Sequence, residues 1–356
     1  MLNRKILFLA AGIISASADT ISIYPKSAYS INIENDAFVN VHSDKYYTSG
    51  VALNYTTREF DLSSTFWRYL SAKQDDLRYS RFNVGIAHFI HTPINCASAE
   101  YQEFKKENPN DSCNPTSPLL DPLKSPKNQK NAKGDYPYSG AILLHAGISN
   151  RTESSHETLR FSVGIIGSGA LGGEVQNGVH KLLPNSQLKF SGWDTQIETE
   201  LLLNVHYEYL KKFTLLKQGD FSIDYLGGPK ISLGNAQTLF GTTQMLRAGI
   251  NLDSDYGIEN LKQNSFGSKI FSEDLSLYAF FNSRYMYVAR NIFIEGNSFN
   301  PKHFLSLNRF VITPTIGFNA SYRFMRFYYA WTFVPREFQE QRKFGNYGSI
   351  GLDLSF

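Results

Sequence analysis

Long hydrophobic runs are missing from this sequence beyond its first twenty residues. A helix needs roughly 20 consecutive apolar residues to cross a bilayer. The run from Ile6 to Ile14 falls short of that, so a helical inner-membrane protein is excluded. Cysteine is nearly absent, with only Cys96 and Cys113. At most one bridge can form, and an exported chain would permit it. Net charge is also small, at +3, so charge gives no reason to expect a nucleic-acid partner.

What the first residues do contain is a compartment signal. Arg4 and Lys5 precede the apolar run, and Ala16-Ser17-Ala18 follows it. Basic, apolar and small-residue regions in that order describe a secretory leader. Residues 1–18 are therefore expected to be removed, leaving 19–356 as a single domain. That domain is rich in aromatics, with 27 Phe and 21 Tyr beside only 4 Met. Membrane barrels place aromatic belts at both interfaces.

Alternation with period two dominates the rest. Ile197, Thr199, Leu201, Leu203, Val205, Tyr207 and Tyr209 fall on one face, and Glu198, Glu200, Asn204, His206 and Glu208 on the other. Successive strand residues point to opposite sides. In a membrane barrel the apolar face meets lipid and the polar face lines the lumen. Phe327, Tyr329, Trp331 and Phe333 repeat the pattern, as do Ile350, Leu352, Leu354 and the terminal Phe356. A final strand ending in Phe resembles the assembly signal of outer-membrane barrels. The sequence reads as an all-β protein, a transmembrane antiparallel β-barrel of about twelve strands. They are expected near 28–38, 47–57, 79–91, 138–150, 157–167, 196–211, 220–233, 242–253, 275–292, 309–322, 324–335 and 346–356. Pro314 falls within the tenth segment and should force a bulge or a shifted boundary, because it lacks a ladder donor.

Twelve strands with both termini periplasmic put the connections after odd-numbered strands outside. The long segments 93–137 and 168–195 are then extracellular. The first is rich in Pro, Asn and Lys, including Lys105, Lys106, Lys124, Lys127, Lys130 and Lys133. It is either a solvated loop or a cluster that meets phosphate head groups. The second holds Glu174 to Leu183 with helical spacing, which puts Gln176 and His180 on one face. Gly167-Ser-Gly-Ala-Leu-Gly172 matches a dinucleotide fingerprint, but no βαβ pattern surrounds it. It reads as a strand-to-helix turn. His88 and His91 are three apart on a strand, so they face opposite sides and cannot share a metal.

Asn35-Asp36 ends the first strand and Tyr47-Thr48-Ser49-Gly50 opens the second, at the same rim. Asp36 is a hard oxygen ligand suited to Ca²⁺, with the Asn35 amide and Thr48 hydroxyl beside it. A polar rim with turn-forming Asn and Asp is the alternative. A regular strand would point Asn35 and Asp36 apart. A rim bulge, or a site between the wall and the helix, lets both take part. His180 is a natural general base near neutral pH, or else a solvated or capping histidine.

Read together, these pieces resemble the outer-membrane lipid A 3′-O-deacylase family. Asn35-Asp36 and Tyr47-Thr48-Ser49-Gly50 match, followed by Gly134-Asp135-Tyr136-Pro137-Tyr138-Ser139-Gly140 and Ile166-Gly167. Gly172-Gly173-Glu174-Val175-Gln176-Asn177 with His180, then Gly192-Trp193-Asp194 with Gln196, continue in order. Arg336-Glu337-Phe338 and Gly348-Ser349-Ile350 complete the match. The resemblance spans nearly the whole exported chain. It implies a Ca²⁺-dependent hydrolase acting on lipid A of lipopolysaccharide, a monomer embedded among outer-membrane lipids. His180 would activate water, Asp36 and Asn35 would help place the cation, Thr48 would line the site and Gln176 would position. Tyr136 stands where relatives often have Arg, and no carboxylate lies between His180 and Trp193. An outer-membrane phospholipase, or a non-enzymatic channel or adhesin, would share the barrel but not this substrate.

Overall fold

In a computed structural model the described residues are 24–39, 46–61, 79–93, 106, 109, 136–182, 192–252, 255–267, 273–299, 305–339, 341 and 344–356. The expected leader, Cys96, Cys113 and every lysine named in 93–137 except the exposed Lys106 lie outside them.

Twelve long strands run in chain order. They are β1 (Ala28–Asn35), β2 (Tyr46–Thr56), β3 (Tyr79–Thr92), β4 (Ser139–Arg151), β5 (Ser155–Ile166) and β6 (Glu200–Gln218). Then follow β7 (Phe221–Gly234), β8 (Gln237–Ile250), β9 (Ser276–Asn291), β10 (Phe310–Tyr322), β11 (Met325–Val334) and β12 (Gly345–Ser355). Each pairs antiparallel with its sequence neighbours, and β1 pairs with β12 to close the ring. Closure removes the edges that an open sheet would leave with unpaired backbone groups.

The faces separate as the alternation requires. Leu201, Leu203, Phe161, Val163, Leu144 and Phe281 stand exposed on the outer wall. Asn204, His206, Glu208, Arg160, Arg247, Arg284 and Arg326 are buried in the lumen. Such charges must be paired, because an isolated ion away from water is costly. Arg247 donates to both Asp224 oxygens at 2.9 and 2.5 Å. Arg326 Nε donates to Asp353 at 2.9 Å, and Arg151 clasps Glu59 at 2.6 and 2.8 Å.

Much of this pairing converges on the connection after β8. Residues 255–267 enter the lumen from the end that holds the termini and form a hairpin, Glu259–Asn260 against Ser265–Phe266. Asp255 meets Arg247 and Arg326, and Tyr278 Oη donates to it at 2.8 Å. Asn54 donates to both Glu259 oxygens at 3.2 Å. At the opposite end Lys262 Nζ reaches Glu337 at 2.7 Å.

Several boundaries differ from expectation for local reasons. Pro314 sits in regular register with Ser283, without a bulge. Pairing with β11 starts only at Thr315, so no ladder on that side needs a donor from Pro314. Strand β6 starts at Glu200, later than expected, because Ile197 is fully buried and its N–H donates to Tyr138 O. It runs past residue 211 because 212–218 pair with β7 alone, beyond the end of β5. Strand β8 starts earlier, at Gln237, directly after a turn that Asn204 Oδ1 fixes by accepting from Ala236 N at 3.0 Å.

The Arg326–Asp353 pair gives a stability test. Asp353→Ala removes one partner of a fully buried pair, which costs about 3 kcal/mol. Asp353→Asn keeps an acceptor and should cost less. The barrel should lose its heat-resistant gel mobility at a lower temperature in the order Asn, then Ala. Equal stability of Asp353→Ala and the parent would contradict this role for the pair.

Candidate active site at the barrel rim

Strand β1 stops at Asn35, which is still extended (φ −156°, ψ 142°). The chain then turns into a 3-10 helix, Asp36–Phe38, capped by Asn35 Oδ1 accepting from Ala37 N at 2.7 Å. Strand alternation therefore ends between Asn35 and Asp36. Asp36 is buried, with 1 % exposure, while Asn35 is half-buried.

On the adjoining strand the β2–β3 register skips from Tyr47 to Ser49, so Thr48 is the bulged residue. The β1–β2 register also ends at Asn35 opposite Ser49. Thr48 thus lies outside both ladders, and its hydroxyl shares a hydrogen bond of 2.7 Å with Thr92 on β3. The expected rim bulge exists, but on β2 and not at Asn35-Asp36.

The second group rides on helix α1 (Gly172–Leu182), where the spacing placed it. Gly167 has φ of +101° and Leu171 is left-handed, so the glycine-rich stretch is indeed a strand-to-helix turn. His88 shares the outward face of β3 with Phe82, Val84 and Ile86, and its Nε2 lies 2.9 Å from Ala170 O. His91 faces the lumen, stacked on Phe293 and Tyr136. The two histidines are thus divided by the wall, as expected.

Close approach at two glycines seats α1 on the outer wall. A Cβ on Gly140 would lie 2.8 Å from Gly172 Cα, and one on Gly173 would lie 2.7 Å from Trp193 Cγ. Trp193 packs with Ile90 and Tyr138 and donates Nε1–H to Gln176 Oε1 at 2.9 Å. Gln176 is buried, and His180, one turn on, is half-buried. Asn35, Asp36, Thr48, Gln176 and His180 therefore occupy one sector of one rim, over β1 to β4. Sequence reasoning missed Trp193, His88 and Thr92 as supports. The collinear Gly-Trp-Asp segment was the available signal for Trp193.

The groups that flank Asp36 at the end of the ladder are oxygen donors: the Asn35 amide, whose Oδ1 accepts from Ala37 N, and Thr48, whose hydroxyl is bonded to Thr92. That chemistry fits Ca²⁺, which accepts carboxylate, carbonyl and water oxygens. Among the described residues no cluster of three or more His, Cys, Asp or Glu side chains gathers. A cation here would rest on one carboxylate plus neutral oxygens.

A separate cavity, partly open to solvent, lies inside the lumen at the same end. Tyr47, Phe89, His91, Lys262, Met286 and Phe293 help line it, and none of the five expected site residues does. The rim is the better candidate because it carries a carboxylate on the turn after β1 and, over β3 and β4, a histidine on a helix fixed by specific contacts.

A closed twelve-strand barrel with a lipid-facing wall and a rim helix defines an outer-membrane barrel protein. The family model described as outer membrane protein LpxR matches residues 6–109 and 119–356, so the chain belongs to that family. LpxR from Salmonella typhimurium is a similar solved structure, with a TM-score of 0.67 and 18% identity. That match covers 92% of this chain and 100% of the other. The β-domain of the Bordetella autotransporter BrkA follows with a TM-score of 0.45 and 9% identity, over 94% of this chain and 100% of that one. Comparison with curated proteins finds no match.

Trp193→Phe keeps a ring beneath Gly172 and Gly173 but removes the bond to Gln176. The local cost is about 1–2 kcal/mol. Amide exchange across Gly172–Leu182 should quicken while the barrel stays folded. Unchanged exchange would contradict the anchoring role.

Proposed function

We propose that the chain is a lipid A 3′-O-deacylase that hydrolyses ester-linked acyl chains of lipopolysaccharide in the outer leaflet, with Ca²⁺ as cofactor. One observation carries the reading. The helix bearing Gln176 and His180 is mounted on the lipid-facing side of the wall, and it exposes Leu171, Val175, Val179 and Leu182 beside them. An apolar stripe of that kind suits contact with acyl chains at a membrane interface. Membership of the family and the collinear motifs support the same reading.

His180 serves as general base. It takes a proton from water as the water oxygen bonds to the ester carbonyl carbon. The tetrahedral intermediate then collapses, the bond to the sugar oxygen breaks, and the imidazolium returns the proton to that oxygen. The products are a fatty acid and a free 3′-hydroxyl. Asp36 and Asn35 would hold the cation, with Thr48 beside them. A bound Ca²⁺ would supply positive charge for the developing oxyanion. Gln176, tied to Trp193, keeps the helix and hence His180 in place. With termini periplasmic, as in bacterial barrels, this rim faces the cell exterior, where lipid A resides. The lumenal hairpin 255–267 counts against an open channel.

Purified protein incubated with lipopolysaccharide and Ca²⁺ should release 3′-linked acyl chains. His180→Ala should lower the rate by about 10²–10⁴-fold with heat-resistant folding intact, and EGTA should stop turnover. Full activity of His180→Ala would remove it as base, and insensitivity to EGTA would remove Ca²⁺. Release from phospholipid vesicles, with lipopolysaccharide untouched, would favour a phospholipase.

A further inference from the structure

We infer that the lumenal hairpin 255–267 sets the geometry of the rim site from inside the barrel, with Glu34 and Tyr47 as positioning residues. This rests on reading the rim sector as the active site. The argument begins with two pairs of consecutive residues. Glu34 faces the lumen and Asn35 the outer side of β1; Tyr47 faces the lumen and the bulged Thr48 sits outside the ladders. Each dipeptide therefore carries a site group on one side and an anchor on the other.

The anchors meet on the hairpin. Glu34 Oε1 accepts from Leu261 N at 2.8 Å and from Ser349 Oγ at 2.9 Å. Its Oε2 accepts from Lys262 N at 3.0 Å and from Tyr47 Oη at 2.7 Å. One buried carboxylate thus ties the hairpin tip to β1, β2 and β12. Charge-assisted bonds of this kind are the strong ones, and a shared set behaves as a unit.

Gly50 explains how Tyr47 reaches that carboxylate. It lies opposite Glu34 in the register, and a Cβ there would be 2.0 Å from Tyr47 Oη. The Tyr-Thr-Ser-Gly motif therefore combines an anchor, a site residue and the space the anchor needs. Beyond the tip, Lys262 Nζ binds Glu337, which also accepts from Tyr136 Oη at 3.0 Å. The hairpin tip is fixed at the rim through Leu261 and Lys262, toward Glu34 on β1 and toward Glu337 after β11. Strand ends fray unless held, and Asn35, Asp36 and Thr48 all lie where the ladder stops. The hairpin adds a restraint from the lumenal side to those that Asn35 and Thr48 already have.

Tyr47→Phe, Glu34→Gln and their double variant test this with two readouts, deacylation kinetics and amide exchange at Asp36–Val39. Each single variant should lower kcat about tenfold with KM unchanged and the barrel heat-resistant. Exchange at Asp36–Val39 should quicken, and the double variant should be no worse than the poorer single one. Gly50→Ala, which displaces the Tyr47 ring, should behave alike. Unchanged kcat and exchange in folded variants would overturn the inference. So would additive losses that track loss of heat resistance, since those mark a purely structural role. If the parent protein released no acyl chain from lipid A, the proposed function would fall, and the exchange readout alone would still decide for or against the brace.

Discussion

A strand in hydrocarbon can leave no backbone group unpaired, and every other feature of this protein follows from that constraint. The ladder must close, so β1 pairs with both β2 and β12. Closure fixes an inner and an outer face along each strand. The outer face is apolar for lipid. The inner face can carry charge, but only if the charges neutralise one another. Arg247 and Arg326 are each held between aspartates, Asp224 and Asp255 for the one and Asp255 and Asp353 for the other, and Asp255 comes from the hairpin that enters the lumen. The hairpin is thus part of the electrostatic balance of the wall.

The same constraint explains why side chains can leave the alternation at the rim, where the proposed site lies. Within a ladder, side chains are committed to alternate faces. Where the ladder ends, the chain can turn. Asn35 and Asp36 part through a 3-10 turn, Thr48 leaves the register at a bulge, and α1 lies back against the outer wall through Gly140, Gly172 and Gly173. The helix that carries Gln176 and His180 thereby lies on the lipid-facing side of the wall.

Features with a local signature could be read from the sequence. Period-two alternation located all twelve strands, although β6 runs on to Gln218 and β8 starts at Gln237, well off their expected bounds, and helical spacing located α1. The Asn-Asp, Tyr-Thr-Ser-Gly and Gln-x-x-x-His segments all fall at one rim, on the turn after β1, the start of β2 and α1. Features that depend on distant partners could not be read. Nothing periodic marks 255–267, whose contacts reach Glu34, Asn54, Glu337 and Tyr347. Glu34 has no local signature that sets it apart from other polar positions of the alternation. Pro314 looked like a break because its neighbour's register was not yet known. Tyr136, noted as a departure from relatives, proves fully buried against His91, Tyr46 and Phe338.

The central claim is that this barrel is a rigid mount for an ester hydrolase at the membrane surface. Mass spectrometry of lipid A from otherwise identical cells with and without the gene tests it most directly. The account predicts that lipid A from cells carrying the gene loses its 3′-linked acyl mass. Identical acylation in both, with the barrel folded in the outer membrane, would contradict it.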